Sequence, residues 1–292
     1  MTRIALTIEG YDWHARALTA AFATLGATVV RLHLDSCGFA TGHPTGLDLP
    51  GFADAPPDAV LVREMAGGSF EQVTRRLGVL HALSALGVPV WNDARAIERC
   101  VDKSMTSFLL AHAGVPTPDT WTVEGIERAR AVFAAAGGTL VLKPLFGAQG
   151  KGLRRIARAE DLPDGAAVAG VYYLQRHIAS GGEGFRDHRV FVCGGEVLAA
   201  MTRRGAFWIT NIKQGGTPEP LLPDREMTEV ALRAAAAVGA SYAGVDLLRD
   251  RDGRLWVLEV NSMPAWRGLQ RVADVNVAMR LAAAVLTAVR AR

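Results

Sequence analysis

No feature of this chain constrains its fold and chemistry as tightly as the acidic segment from Tyr242 to Asn261. Two apolar, strand-like runs there flank Asp252-Gly253, a dipeptide suited to a tight turn whose two central residues take positive φ. With that turn, Asp246 lies directly opposite Glu259. Asn261, two residues further along, points to the same face because side chains alternate along a strand. Carboxylates opposed across an antiparallel pair repel each other, so a cation is expected between them. All three side chains offer hard oxygen donors, which suits Mg²⁺ with phosphate oxygens completing its shell. A solvated edge hairpin with its acids in water is the plainer alternative, and the apolar flanks and the register speak against it.

The start of the chain reads as an α/β unit. Residues 4–8 predict a buried strand, 12–25 a helix that Gly26 ends, and 27–34 the next strand. This βαβ opening lacks the GxGxxG of a dinucleotide site, since Gly10 stands alone after the first strand. The turn-rich stretch 36–57 predicts a surface excursion. A strand at 59–62, a helix at 70–86 and a strand at 88–91 complete a unit over residues 1–95.

Beyond that point the pattern changes. Residues 94–113 are helical in period, and Val115-Pro-Thr-Pro118 forces an extended link. A helix is expected at 124–136, and strands at 139–143, 153–157, 171–178, 189–192 and 196–202. Helices at 228–238 and 275–289 bracket the acidic hairpin. This part is α+β with mostly antiparallel strands, divided into 96–173 and 174–292. A chain of 292 residues, 50% hydrophobic and 21% charged, has the length and composition for two or three compact units. No apolar stretch reaches about 18 residues, which argues against a membrane span, and the first apolar run is too short for a signal peptide. Cys37, Cys100 and Cys193 are scattered without a CxxC, pointing to a reducing, cytoplasmic setting and away from zinc. A net charge of +3 is too mild for nucleic-acid binding but suits anionic ligands.

Lys143 ends an apolar strand, and three glycines, Gly147, Gly150 and Gly152, follow within the next loop. Glycine lets backbone N–H groups approach and wrap a phosphate. The spacing is not that of a Walker A loop, and a simple hairpin loop explains the string about as well. Lys103, at a helix start, is by itself an ordinary solvated lysine.

Taken together, Cys100-Val-Asp-Lys, Ala113-Gly-Val-Pro-Thr-Pro118, Val141-Leu-Lys-Pro, the glycine loop, Leu174-Gln-Arg-His-Ile178 and Leu258-Glu-Val-Asn261 resemble the RimK-like α-L-glutamate ligases of the ATP-grasp superfamily. The resemblance covers residues 93–285. It implies a pre-ATP-grasp α/β domain followed by a two-lobed α+β ATP-grasp domain, with ATP between the lobes. By that resemblance Lys103 and Lys143 meet the phosphates, and Gln175, Arg176, His177 and Ile178 form the adenine hinge. Asp187 reaches the ribose, and Asp246, Glu259 and Asn261 hold Mg²⁺, or Mn²⁺ in its place. Relatives usually carry an acid where Arg176 stands, which places the burden of adenine recognition on the hinge backbone. The stretch 201–216 resembles the one that carries a catalytic arginine and then an S/T-N pair. Arg204, or its neighbour Arg203, is then the catalytic cation, with Thr210 and Asn211 at phosphate or metal and Lys213 at the substrate carboxylate. Two exposed arginines on an ordinary strand are the alternative.

After the metal strand, Trp266, Arg267 and Arg271 are candidates for an acceptor pocket that pairs carboxylates bidentately; a structural turn with Trp266 buried serves equally. The reaction implied is ATP-dependent ligation of a carboxylate to an amine through an acyl phosphate. The resemblance makes L-glutamate the amine, and a small-molecule carboxylate, such as a tetrahydromethanopterin- or furan-type one-carbon carrier, the acceptor. An amino-acid ligase acting on a protein tail or carrier, and an ATP-binding sensor without ligase activity, remain as alternatives. No nucleic acid or membrane partner is expected, and a homo-oligomer is compatible with the sequence.

Overall fold

The computed structural model describes residues 1–147 and 150–291; Ala148 and Gln149, within the expected glycine loop, and Arg292 lie outside the described residues. The first unit comprises β1 (Arg3–Thr7), α1 (Trp13–Thr24), β2 (Thr28–Leu32), a small hairpin of β3 (Gly38–Phe39) and β4 (Leu47–Asp48), β5 (Ala59–Val62), α2 (Phe70–Ala85) and β6 (Val90–Trp91). Its main sheet is parallel throughout, in the order β2-β1-β5-β6. Helix α1 begins where Asp12 accepts from the Ala15 N–H, and α2 opens on a capping box between Ser69 and Gln72. The stretch 36–57 is more than a surface excursion. Cys37, Leu47, Leu49 and Phe52, spaced between its glycines and prolines, are buried with Val79 and Leu83 of α2.

Two helices, α3 (Ala94–Val101) and α4 (Lys103–His112), replace the single one expected. Asp102 between them is extended, and its carboxylate caps α4 by accepting from the Ser104 and Met105 N–H groups. There follow β7 (Thr120–Glu124), α5 (Ile126–Ala136), β8 (Leu140–Lys143), β9 (Arg154–Ile156) and β10 (Val171–Arg176), in an antiparallel sheet ordered β7-β10-β8-β9. The division expected at 173/174 falls inside β10, whose pairing with β7 and β8 keeps 171–176 in one unit.

The third unit contains β11 (Phe185–Cys193), β12 (Glu196–Gly205), β13 (Thr217–Leu221), α6 (Arg225–Val238), β14 (Tyr242–Arg249), β15 (Leu255–Asn261), α7 (Arg267–Gln270) and α8 (Val277–Arg290). Its sheet is antiparallel, in the order β13-β12-β11-β14-β15. Strand β13 carries Pro218 and Pro220, which only an edge position tolerates, so its sequence does not read as a strand. Among the described residues no helix is long and apolar enough to cross a membrane.

Asp246 faces Glu259, as the sequence predicts, but by a different route. The loop has three residues rather than two: the Asp250 N–H donates to the Arg254 carbonyl at 2.9 Å, and Gly253 takes φ 81°. Asp252, expected at positive φ, is not among the residues that adopt it. The longer loop shifts the register by one residue, and a bulge beside Asp246 shifts it back.

The first and third units share a core. Ile4, Leu6, Leu18 and Phe22 pack with Phe191, Trp266, Leu281 and Val285. Asn92, fully buried, fastens the same junction. Its Nδ2 donates to the Tyr242 and Ser262 carbonyls at 2.7 and 2.6 Å, and its Oδ1 accepts from the Ser241 and Tyr242 N–H groups at 2.6 and 3.1 Å. Replacing it strands several buried backbone groups at once, each costing about 1–3 kcal/mol. Asn92→Ala is therefore expected to lower the melting temperature by several degrees in a thermal unfolding scan; an unchanged melting temperature contradicts this role.

Candidate active site

A cleft of about 440 Å³ opens between the middle and third sheets. One wall carries Lys143 at the end of β8 and Gln175 of β10, and the other carries Arg203, Asp246 and Glu259 from β12, β14 and β15. On the second wall, four buried charges form a row across three strands. Arg203 lies opposite Asp187, and Arg189 opposite Asp246. Arg203 donates to Asp187 through Nε at 2.7 Å and Nη2 at 2.5 Å. It also reaches Asp246 at 3.0 Å. Arg189 binds Asp246 with both Nε and Nη2, the latter at 2.9 Å. Burial pushes the Asp246 carboxyl up, but Arg189 and Arg203 more than offset it and hold the group below the usual carboxylate range. Arg189 went unnoticed in the sequence because it sits in an otherwise apolar strand. The only sequence-level signal was its place opposite Asp246. Its guanidinium lies where a Cβ on Gly244 would be, 2.8 Å from Nη1, so the glycine makes room for it.

The structure therefore answers the repulsion between Asp246 and Glu259 partly with the protein's own cations. Asp246 is saturated by two arginines. Glu259 is half-buried, lines the cleft, and makes no hydrogen bond or ion pair among the described residues. Asn261 donates from Nδ2 to the Gly244 carbonyl at 3.3 Å, which leaves its Oδ1 without a donor among the described residues. A carboxylate and an amide oxygen free of partners, with a second carboxylate beside them, fit a hard dication.

Both lysines are buried, against the solvated alternative for Lys103. Lys103 Nζ reaches the Gly147 carbonyl at 2.8 Å and that of Leu145 at 3.3 Å, and Lys143 Nζ reaches the Leu258 carbonyl at 3.4 Å. Burial holds both ammonium groups below the ordinary lysine range, and Glu259 is the principal counter-charge. Gly150, at φ 72°, lies so close to the loop after β12 that a Cβ would stand 2.6 Å from Asn211 Oδ1. The glycine loop thus rests directly on Asn211, and Thr210 beside it is buried in the same wall.

At the hinge, the Arg176 and His177 N–H groups are taken by the Asp119 and Thr139 carbonyls. The Arg176 side chain turns to Asp119 at 3.0 Å and to the Trp121 ring. His177 and Trp208 meet edge to face, 6.2 Å apart, and Ile178 completes this side of the lining. Asp187 lines the cleft, but both its oxygens are engaged by Arg203 rather than left for a ribose.

Six predicted residues fall outside the lining: Gly152, Asn261, Arg204, Lys213, Arg267 and Arg271. Of the two arginine candidates, Arg203 lines the cleft and Arg204 does not. Arg204 points to the opposite face of β12 and pairs with Glu219 at 2.8 Å, with its side chain 45% exposed. Lys213, Arg267 and Arg271 are exposed and make no ion pair among the described residues. Ile212, next to Lys213, packs on Gly268, next to Arg267.

The model of the RimK-like ATP-grasp domain matches residues 100–285. A tetrahydromethanopterin:alpha-L-glutamate ligase of Methanococcus maripaludis is 40% identical over 200 residues, covering 66% of this chain and 68% of that protein. Its namesake in Methanosarcina acetivorans is 32% identical across 94% of this chain and 96% of that protein. Among solved structures, the ATP-grasp ligase PsnB complexed with a minimal precursor shares the fold, with a TM-score of 0.77 over 98% of this chain and 99% of that one at 24% identity.

The charge row separates the two neighbouring arginines. Removing one partner from a buried ionic network costs about 3–5 kcal/mol. Arg203→Ala should lower the melting temperature sharply, while Arg204→Ala, which breaks only a solvent-screened pair, should leave it nearly unchanged. Equal shifts in a thermal scan contradict the assignment.

Proposed function

This chain belongs to the RimK-like ATP-grasp family, and from that premise we propose that it joins L-glutamate to the carboxylate of a one-carbon carrier of the tetrahydromethanopterin type. It is an ATP-grasp ligase. The observation that carries the finer reading is the charge layout of the cleft, with two buried lysines on one side and Glu259, unpartnered, and Arg203 on the other. The names of the relatives support glutamate and this acceptor, and the exposed, unpaired cations Lys213, Arg267 and Arg271 suit a substrate bearing carboxylates.

In the proposed reaction an acceptor carboxylate oxygen attacks the terminal phosphorus of ATP, and ADP leaves. The amine of glutamate then attacks the acyl carbon and gives up a proton, the bond to phosphate breaks, and an amide and phosphate result. Lys103 and Lys143 neutralise the polyphosphate as compact ammonium groups. Arg203, held rigid by Asp187 and Asp246, is a fixed cation for charge developing at the acyl group in a dry site. Positioning and charge neutralisation suffice, so no nucleophile–base pair is needed. Glu259 and Asn261 would hold Mg²⁺, with the Asp246 carboxylate beside them adding negative charge. When bound, the ion supplies further charge neutralisation at the transferred phosphoryl group. The same oxygen donors would accept Mn²⁺.

Incubation with ATP, Mg²⁺, L-glutamate and a tetrahydromethanopterin-type acceptor should give a product heavier by one glutamyl residue, with ADP and phosphate in equal amounts. Glu259→Gln, which removes charge but little volume, should reduce turnover by roughly 100-fold or more while the melting temperature is kept. Adduct formation at the wild-type rate in Glu259→Gln removes Glu259 from the site, and AMP with pyrophosphate as products would falsify the acyl-phosphate reading.

A further inference from the structure

The first unit contributes a charged side chain to the junction that none of the chemistry above uses. Arg63 follows β5 directly, at the C-terminal end of a parallel sheet. Strand β1 leads through α1 to β2 on one side and has β5 on the other, so the crevice between the ends of β1 and β5 is the topological switch point, where α/β sheets bind ligands. Arg63 is 5% exposed, yet its guanidinium has only long contacts. The Met263 carbonyl lies at 3.5 Å, Glu64 at 3.7 Å and Asp12 at 4.0 Å, and the buried Nε has no partner. Arg76 nearby, which also has an unpartnered Nε, nevertheless donates to the Ala66 and Gly67 carbonyls at 2.8 and 2.7 Å and so fastens the loop after Arg63. A buried guanidinium held by one long hydrogen bond and two distant carboxylates, with its Nε unpartnered, is costly.

Facing Arg63 is the chain just beyond the metal strand. Trp266 is fully buried with its indole 5.4 Å from the Arg63 guanidinium, and its own Nε1–H has no acceptor. His14 fixes that chain. Its Nδ1 sits 2.8 Å from Asp12, and its Nε2 accepts from the Trp266 and Arg267 N–H groups at 3.1 and 3.2 Å. Pro264 abuts Gly244, two residues from Asp246, so the chain beyond the metal strand ties this junction to the acidic hairpin. Two buried donors, Arg63 Nε and Trp266 Nε1, are thus left without acceptors at this junction, although Asp12 and Glu64 stand within 4.0 Å of Arg63.

We infer that this junction is the subsite for a substrate carboxylate that does not become phosphorylated, with Arg63 as its binding cation. The inference rests on the ligase reading. The carboxylate belongs either to the incoming amino acid or to the acceptor, and the two sources separate in kinetics. Arg63→Gln should raise the KM of one of these substrates by roughly 10- to 100-fold and leave the KM of ATP within about twofold, with Arg63→Lys in between. The substrate whose KM moves identifies the source.

For glutamate, replacing the recognised carboxylate by an amide (glutamine for one carboxyl, isoglutamine for the other) should raise KM in the wild type but add little in Arg63→Gln, a coupling that a structural role would not produce. If Arg63→Gln does not fold, the same cycle with Arg63→Lys carries the test. Unchanged KM values for both substrates in a folded variant, or an equal rise for ATP, overturn the subsite and leave the ligase standing; the unsatisfied donors are then met by ordered water. A wild-type protein that forms no adduct overturns the proposed substrates themselves, and the subsite with them.

Discussion

The row of buried charges across β12, β11 and β14 is the constraint on which the functional face of this protein depends. Two arginines and two aspartates, all at most 8% exposed, balance one another within a few ångströms. Removing any one leaves an uncompensated charge in a low-dielectric interior, which is far costlier than the net worth of the pairs themselves. Opposed charges on neighbouring strands also fix register, since a slip of one residue would turn each of them to the other side of the sheet. The arrangement thus sets where Glu259 projects, and it holds Arg203 in a fixed position on the cleft wall.

The three units are less separable than the sequence pattern makes them. Helix α8, from the end of the chain, packs on α1, and the two contribute to one apolar core with β11 and Trp266. Asn92 and His14 add polar ties across the same junction, Asn92 bonding to main-chain groups on both sides of the acidic hairpin and His14 to two just after it. A first unit so attached is fixed to the third, although none of its residues is among those lining the cleft. Its sheet ends and the chain after β15 meet face to face, which is how Arg63 comes to lie beside Trp266.

Much of this was legible in the sequence, and the failures have specific causes. Apolar periodicity located most of the principal strands and helices. It missed β7 and β13: the first is a short half-exposed strand, the second an edge strand with two prolines. Asp246 and Glu259 were matched through a turn of the wrong length, and a bulge beside Asp246 cancelled the error. The opposite happened on β12. Counting back from the Gly194-Gly195 turn would set Asp187 opposite Thr202, but a bulge between the Phe191 and Val192 pairs places Arg203 there instead. One extra residue in a strand inverts which of two adjacent arginines faces the cleft, and local sequence carries no mark of it. The contacts of Arg63 and His14 span some 200 residues and lay beyond any pattern in the sequence.

The central claim is that an acceptor carboxylate is activated by phosphorylation before the amine attacks. An acceptor whose carboxylate carries heavy oxygen tests it most directly, with the released phosphate examined by phosphorus NMR or mass spectrometry. Phosphorylation of the carboxylate transfers one labelled oxygen to each inorganic phosphate, because the bond that breaks on amide formation joins the acyl carbon to that oxygen. Phosphate carrying one label per turnover is the predicted result. Unlabelled phosphate alongside a completed amide, or label recovered in AMP, would contradict it.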